Sequence, residues 1–158
     1  MENITNKVII TAFSKEYANE FYTLNIAWLR QYFYVEPFDE EVLRNPETYI
    51  VNKGGHVFFA KVDGQIVGTV ALMPKDGTFE LTKMAVAKTL RGKKIGQHLM
   101  QYCINFAKAN AFKNLILYSN TILENAIYIY RKYGFKEIKV EENCPYERCN
   151  IKMILNLD

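Results

Sequence analysis

Cysteine is scarce in this sequence: three among 158 residues, at positions 103, 144 and 149, with no C-x-x-C pair. An odd, unclustered set excludes a disulfide framework and is expected of free thiols in a reducing compartment, the cytoplasm. Histidine is scarcer still. His56 is one of only two and has no evident partner for a nucleophilic or metal site, so no metal is expected. Long apolar runs are absent. None approaches the ~18 residues needed to cross a bilayer, so no membrane association is expected. Residues 1–11 hold one apolar cluster (Val8, Ile9, Ile10) and no signal-peptide core. No Pro-, Gly- or Ser-rich linker and no internal repeat divides the chain, and one domain spanning residues 1–158 is expected. The net charge of +3 is too small to imply a nucleic-acid partner.

What is present is an ordinary globular composition, 49% hydrophobic and 23% charged, with 14% aromatic residues. A chain of this length buries roughly two-thirds of its surface and needs no covalent staple. Residues 8–12 read as a strand. Ser14 is placed to cap a helix over residues 14–30, where Tyr17, Phe21, Leu24 and Trp28 fall at helical spacing. Residues 36–39 break the pattern, Asp39 is placed to cap a short helix through Leu43, and Asn45-Pro46 ends it. Asp63-Gly64 and Asp76-Gly77 mark tight turns between three strands, 56–62, 65–73 and 78–86. The period then becomes helical through Ile95, Leu99, Tyr102, Cys103 and Phe106. A short strand at 115–118 follows, then a helix carried by Ile122, Ala126, Ile129 and Tyr133 and closed by Gly134. Strands at 135–140 and 150–157 end the chain. The class is α/β, and the antiparallel meander argues against a purely parallel sheet.

Chemistry concentrates in residues 81–96, LTKMAVAKTLRGKKIG. A strand runs into a loop holding Arg91, Gly92, Lys93, Lys94 and Gly96, and an amphipathic helix follows. Helix N-termini offer unpaired N–H groups and partial positive charge, glycine admits close backbone approach, and three cations reinforce both. An anion site is expected, against the plainer alternative of a solvated basic turn. The spacing matches neither the P-loop nor the G-x-G-x-x-G dinucleotide pattern.

The run Arg91-Gly92-Lys93-Lys94-Ile95-Gly96 resembles the acyl-CoA pyrophosphate loop of the GNAT superfamily of N-acetyltransferases, [QR]-x-x-G-x-[GA]. Downstream, SNTILENAIYIYRKYGF (119–135) resembles that family's second signature, an Asn-bearing loop followed by A-x-x-x-Y-x-x-x-G-F. The likeness extends over nearly the whole chain, and the WLRQYF–EPFD and PYERCNIKM stretches resemble an uncharacterised bacterial branch. It implies a mixed, mostly antiparallel sheet of about seven strands flanked by helices, with splayed central strands. It also implies acetyl transfer from acetyl-CoA to an amine by direct attack in a ternary complex. Backbone groups of Met84, Ala85 and Val86 would pair with pantetheine. N–H groups of residues 91–96 would hold the pyrophosphate, and Asn120 and Asn125 would bond the CoA chain. Lys94 stands where the motif has its first glycine. It is expected to contribute charge rather than a special backbone angle; the opposite case would leave it strained.

Two catalytic residues follow from the same resemblance. Glu80 falls where the family often has a base, on the strand parity of Thr82, Met84 and Val86; the plainer alternative is a strand-edge Glu facing water. Tyr130, four residues before Gly134, matches the tyrosine that protonates the leaving thiolate; the alternative is core packing. The acceptor pocket would draw on Trp28, Tyr32, Tyr34, Glu36, Asp39, Tyr146 and Arg148. Aromatic and acidic groups there suit a cationic amine, and Arg148 suits an acceptor carrying a carboxylate. The partners expected are a small-molecule or protein amine and a second copy of the chain. A non-catalytic acetyl-CoA-binding regulatory module is the alternative from a different class. The cysteines have no paired base and are expected to pack.

Overall fold

A computed structural model describes residues 7–157. Seven strands form one sheet in the order β1-β2-β3-β4-β5-β7-β6. They are β1 (Ile9–Ala12), β2 (His56–Val62), β3 (Gln65–Lys75), β4 (Thr78–Val86), β5 (Asn114–Ser119), β6 (Lys136–Ile138) and β7 (Ile151–Asn156). Every neighbouring pair is antiparallel except β4 and β5. Both meander turns are as expected. Asp63, Gly64, Asp76 and Gly77 all have positive φ (51°, 77°, 50° and 82°), the backbone twist that suits a two-residue hairpin.

Alternation along the strands sends apolar side chains to two cores. Val57, Phe59 and Ala71 meet α1 (Ala18–Tyr32) and α2 (Pro37–Arg44) through Phe21, Ile26, Leu29, Val42 and Leu43. Phe58, Ala60, Val70 and Leu72 meet α4 (Ile95–Ala109) on the other face through Ile95, Leu99, Cys103 and Ala107. Two small helices complete the set: α3 (Pro46–Tyr49), which the sequence did not suggest, and α5 (Glu124–Lys132). No helix among the described residues is long and apolar enough to cross a membrane.

Several boundaries differ from expectation. Ser14 leads into a 3-10 turn, Lys15–Tyr17, and its side chain caps nothing. Glu36, not Asp39, caps α2. Asp39 sits one turn in, and its Oδ2 accepts from the Glu36 N–H at 3.0 Å, completing a reciprocal capping box. Ile122 lies outside α5, exposed.

The largest departure is inside β4. Ala71 pairs with Thr82 and Thr69 with Ala85, so Val70 opposes two residues, Lys83 and Met84. This is a β-bulge, with Lys83 at φ +56°. An extra residue reverses the parity of everything after it. Glu80 and Thr82 pair with Met73 and Ala71 on the α1 face, as Ala85 does with Thr69. Met84 and Val86 turn toward α4, where a Cβ on Gly96 would meet Met84 Sδ at 3.6 Å and Val86 Cγ2 at 3.9 Å. The common face expected for Glu80, Thr82, Met84 and Val86 is therefore broken. Strands β4 and β5 pair only at Phe79–Leu115 and Glu80–Ile116 before they diverge, which gives the splayed centre.

Gly55 fixes the entry to β2. A Cβ there would lie 2.6 Å from the Leu72 carbonyl oxygen and 2.8 Å from that of Ile50. Backbone atoms cannot yield as side-chain tips do. Gly55→Ala is expected to lower the unfolding free energy by about 1–3 kcal/mol in urea titration; an unchanged midpoint would show that the α3–β2 junction is slack.

Candidate active site

Where β4 and β5 part, two adjoining cavities open. The larger, about 650 Å³, lies between α1, β4, β5 and the β6–β7 loop. The smaller, about 400 Å³, lies between β4, the 91–96 loop, α4 and α5. Met84, Val86, Arg91, Asn125, Ala126 and Tyr130 border both, so the two form one cleft through the sheet.

The basic loop borders the small cavity. Arg91 does not extend freely: its Nε donates to the Val86 carbonyl at 3.0 Å, and its guanidinium also bonds Gln31. It thereby clamps the loop to the end of β4 and to α1. Gly92 and Lys94 have φ of 85° and 65°. Lys94 is the N-cap of α4 in the left-handed region, so the motif's glycine position does require positive φ. The expectation that Lys94 needs no special backbone angle is corrected: the side chain is carried at a conformational cost. His98 N to Lys94 O, 3.0 Å, is the first bond of the helix. The N–H groups of Ile95, Gly96 and Gln97 precede it and have no intrahelical acceptor, as an anion site requires. The Ile95 side chain itself is buried in the core, and Lys93 is exposed.

Tyr130 stands at the junction of the cavities, with its ring edge-on to Phe135 at 6.1 Å between centroids. Burial pushes its phenol up and the nearby Ser119 hydroxyl works against that, so the group stays protonated across the neutral range. Asn125 is exposed and borders both cavities. Asn120 is committed elsewhere. Its Nδ2 donates to the Arg148 carbonyl at 2.7 Å and its Oδ1 accepts from Ile122 N at 2.9 Å, tying β5 to the β6–β7 loop.

Beyond the bulge lies a buried polar cluster. Glu80 is only 4% exposed, which excludes the water-facing alternative, yet it is not in the cavity wall. Its Oε2 accepts from the Tyr146 hydroxyl at 3.1 Å. The Lys83 ammonium, also buried, reaches Tyr146 Oη and Asp39 Oδ1, each at 3.4 Å. Arg148 donates to both oxygens of Asp39 (2.8 and 3.0 Å) and to Glu36 Oε2 (2.9 Å). Burial raises Glu80, while Lys83 and Tyr146 pull it partly back. Burial lowers Lys83 against the opposing pull of Asp39 and Glu80. Burial would raise Asp39, but Arg148 and Lys83 outweigh it and hold the carboxyl below its usual range. Lys83 had no sequence signal: a lysine on a strand reads as solvent-facing, and only the bulge turns it inward.

Of the residues expected around an acceptor, Trp28, Tyr32, Asp39, Tyr146 and Arg148 line the large cavity. Tyr34 is exposed and bonds Glu147, and Glu36 lies behind Arg148. Because Arg148 is held by two carboxylates, it is a poor free anchor for a substrate carboxylate. His56 packs edge-on to Phe106 at 4.6 Å in an aromatic cluster, away from the cleft.

Lys94→Gly is expected to raise stability by roughly 1 kcal/mol, the scale of one relieved left-handed residue, read as a higher urea midpoint. A lower midpoint would show that Lys94 is unstrained. Asp39→Asn strips the counter-charge from the buried Lys83 and the half-buried Arg148 and should cost about 3–5 kcal/mol at pH 7. A carboxylate with a lowered folded-state pKa stabilises above its unfolded value of about 3.9, and that contribution is lost as pH falls through the folded value. The gap between wild type and Asp39→Asn should therefore close on acidification below about pH 4; a gap independent of pH would assign the loss to packing.

Comparison with known proteins fits this geometry. The sequence model described as acetyltransferase (GNAT) domain matches residues 53–137. The probable N-acetyltransferase camello of Xenopus tropicalis is 30% identical over 105 residues, covering 65% of this chain and 48% of its own. N-acetylaspartate synthetase of Danio rerio is 32% identical over 100 residues, covering 61% and 36%. The chain thus spans about half or less of the length of these curated relatives. A GNAT-family acetyltransferase from Staphylococcus aureus Mu50 superposes with a TM-score of 0.84 at 26% identity, over 96% of this chain and 100% of that one. A GNAT acetyltransferase from Elizabethkingia anophelis, solved with acetyl-CoA bound, shares the fold at a TM-score of 0.71 and 22% identity, over 95% and 98%. With a matching domain model over more than half its length, a seven-stranded sheet splayed at β4–β5 and a basic Gly loop opening α4, the chain belongs to the GNAT acetyltransferase family.

Proposed function

We propose that this protein transfers the acetyl group of acetyl-CoA to an amine by direct attack within a ternary complex. The observation that carries the reading is the single cleft through the sheet, with free helix N–H groups at one end, buried titratable groups at the other, and Tyr130 between them. The small cavity suits the pyrophosphate, on the N–H groups of residues 91–96 with Lys94 at its wall. Backbone groups of Met84, Ala85 and Val86, left without a β5 partner, suit the pantetheine amides. An N–H near Met84 would polarise the thioester carbonyl. Asn125 borders the path of the CoA chain, whereas Asn120 acts through the loop it holds.

The large cavity takes the acceptor. Trp28, Tyr32 and Tyr146 supply aromatic faces for a cationic or aromatic-bearing amine. One relative carries the name N-acetylaspartate synthetase, and its acceptor class is a rational member of any amine panel. An alkylammonium of pKa about 10.4 must lose a proton before attack, at a cost of ~4–5 kcal/mol at pH 7. Glu80, raised by burial, is the proton acceptor. The departing thiolate takes a proton from Tyr130, and the second nitrogen proton, lost as the amide forms, restores the phenol. The three free thiols support a cytoplasmic location.

Free-thiol release from acetyl-CoA, followed across a panel of small amines, amino acids and amine-bearing peptides, tests the reading; tight CoA binding with no thiol release from any amine would favour a regulatory binding module. Tyr130→Phe removes one hydroxyl and keeps the ring. Turnover with the best amine should fall at least tenfold while the KM for acetyl-CoA moves little, since a general acid is worth ~10²–10⁴ in rate. Near-full turnover would return Tyr130 to a packing role.

A further inference from the structure

The base assigned to the cleft cannot touch the cleft. Glu80 lies on the α1 face of β4, is 4% exposed and contributes nothing to the wall of either cavity. An ammonium in the large cavity therefore has no direct path to its carboxylate. Thr82 and Lys83 border both the large cavity and Glu80, and Tyr146 does so through a direct hydrogen bond. The Tyr146 ring lines the large cavity, and its hydroxyl donates to Glu80 Oε2 at 3.1 Å.

We propose that Tyr146 is the proton relay between the acceptor amine and Glu80, an inference that rests on the acetyltransferase reading above. The relay moves two protons and creates no charged phenol. The N–H bond of the bound ammonium breaks and its proton passes to the Tyr146 oxygen. At the same time the phenolic O–H bond breaks and that proton passes to Glu80 Oε2. What is left is a neutral amine with its lone pair free for the thioester carbonyl, an unchanged phenol and a neutral carboxylic acid. After product leaves, the same path in reverse returns the proton to solvent.

The surroundings of the hydroxyl fit that task. A phenol has one donor and two acceptor positions. The donor goes to Glu80 and one acceptor position takes the Lys83 ammonium at 3.4 Å. The Thr82 hydroxyl, which lines the large cavity, lies beside the second, and the substrate ammonium would take its place. Lys83 thus aims the phenolic proton at Glu80, and it is fixed in turn by Asp39. The ring is held from several sides: Arg148 lies over it at 4.6 Å from the centroid, Lys83 at 4.7 Å, and Tyr118 of β5 at 6.3 Å. The charged groups facing the pair are Lys83 of β4, Lys75 of β3, Asp39 of α2 and Arg148 of the β6–β7 loop. Tyr118, bonded to Glu141, completes the shell. The phenol is pushed well above its ordinary value by burial and by Glu80, so it does not act as a base in its own right. Burial raises Glu80, which strengthens its carboxylate as a proton acceptor.

The test compares Tyr146→Phe, Glu80→Gln and the double variant, using the best acceptor from the amine panel and reading thiol release from pH 6 to 10. Each single variant should lose roughly 10²-fold in turnover at pH 7, the lower end for a positioned acid–base group, with the loss shrinking toward pH 10 as free amine becomes abundant. The double variant should be no slower than the worse single one, because the two groups serve one path. The KM for acetyl-CoA should hold. Proton inventory on the unaltered protein, in mixed H2O and D2O near pH 7, gives a second reading should Tyr146→Phe fold poorly. Two protons in flight predict a bowed dependence on deuterium fraction. A Tyr146→Phe variant with an unchanged pH–rate profile, additive losses in the double variant, or a linear inventory would each overturn the relay while leaving acetyl transfer intact. An unaltered protein that releases no thiol with any amine would overturn the transferase reading and the relay together.

Discussion

Pairing between β4 and β5 lasts for two residues, and the site exists because it stops there. Beyond Glu80, β4 remains bound to β3 and β5 to β7, and these outer pairings carry the two strands apart. The bulge at Lys83 adds one residue to β4 alone, which bends that strand and increases its local twist. Backbone N–H and C=O groups from Leu81 onward then face an opening instead of a neighbouring strand. Buried backbone polar groups require partners, so the gap presents itself to an extended, amide-bearing ligand rather than closing on apolar side chains. Helix α4 completes the opening, since its N-terminus lies against Met84 and Val86 through Gly96.

The same bulge dictates the electrostatics. Turning Lys83 inward buries an ammonium, and a buried charge without a partner is not tolerated. Asp39 supplies the partner, but a carboxylate with no exposure of its own needs further donors, which Arg148 and the Glu36 N–H provide. The chain of requirements joins α2, β4 and the β6–β7 loop. Replacing such a cluster with well-packed apolar residues often costs nothing in stability. Its value here is registration: it fixes Tyr146 and Arg148 at the mouth of the large cavity, where a loop of that length would otherwise wander.

Much of this was legible in the sequence, for identifiable reasons. Asp63-Gly64 and Asp76-Gly77 name their turns because few other residues accept two successive left-handed conformations. The α4 face reads directly from Ile95, Leu99 and Cys103, since periodicity is a property of local order alone. The bulge was not legible, because one inserted residue leaves no break in a strand already mixed in polarity, and with it went the parity of Glu80 and the inward turn of Lys83. Lys94 hides its angle for a related reason: the residue type argues against the left-handed region that the N-cap of α4 imposes. Arg148 and Asn120 were visible as polar residues, but which partners consume their hydrogen bonds depends on loops that sequence spacing does not fix.

Acetyl transfer to an amine needs one group that accepts a proton before attack and another that gives one up afterward, and the two must not exchange roles. The fold separates the two groups proposed for these roles, by distance and by surroundings. Tyr130 sits at the waist of the cleft on α5, among apolar neighbours, where burial keeps the phenol protonated. Glu80 sits on the α1 face of β4, where burial raises it while Lys83 limits the rise. Groups whose environments drive their proton affinities apart from the reference solution values are how one pocket runs acid and base steps at a single pH. The sheet supplies that separation because the bulge places Glu80 and Met84 on opposite faces. In the proposed reaction the thioester would pass along one side of β4 and the proton would leave along the other.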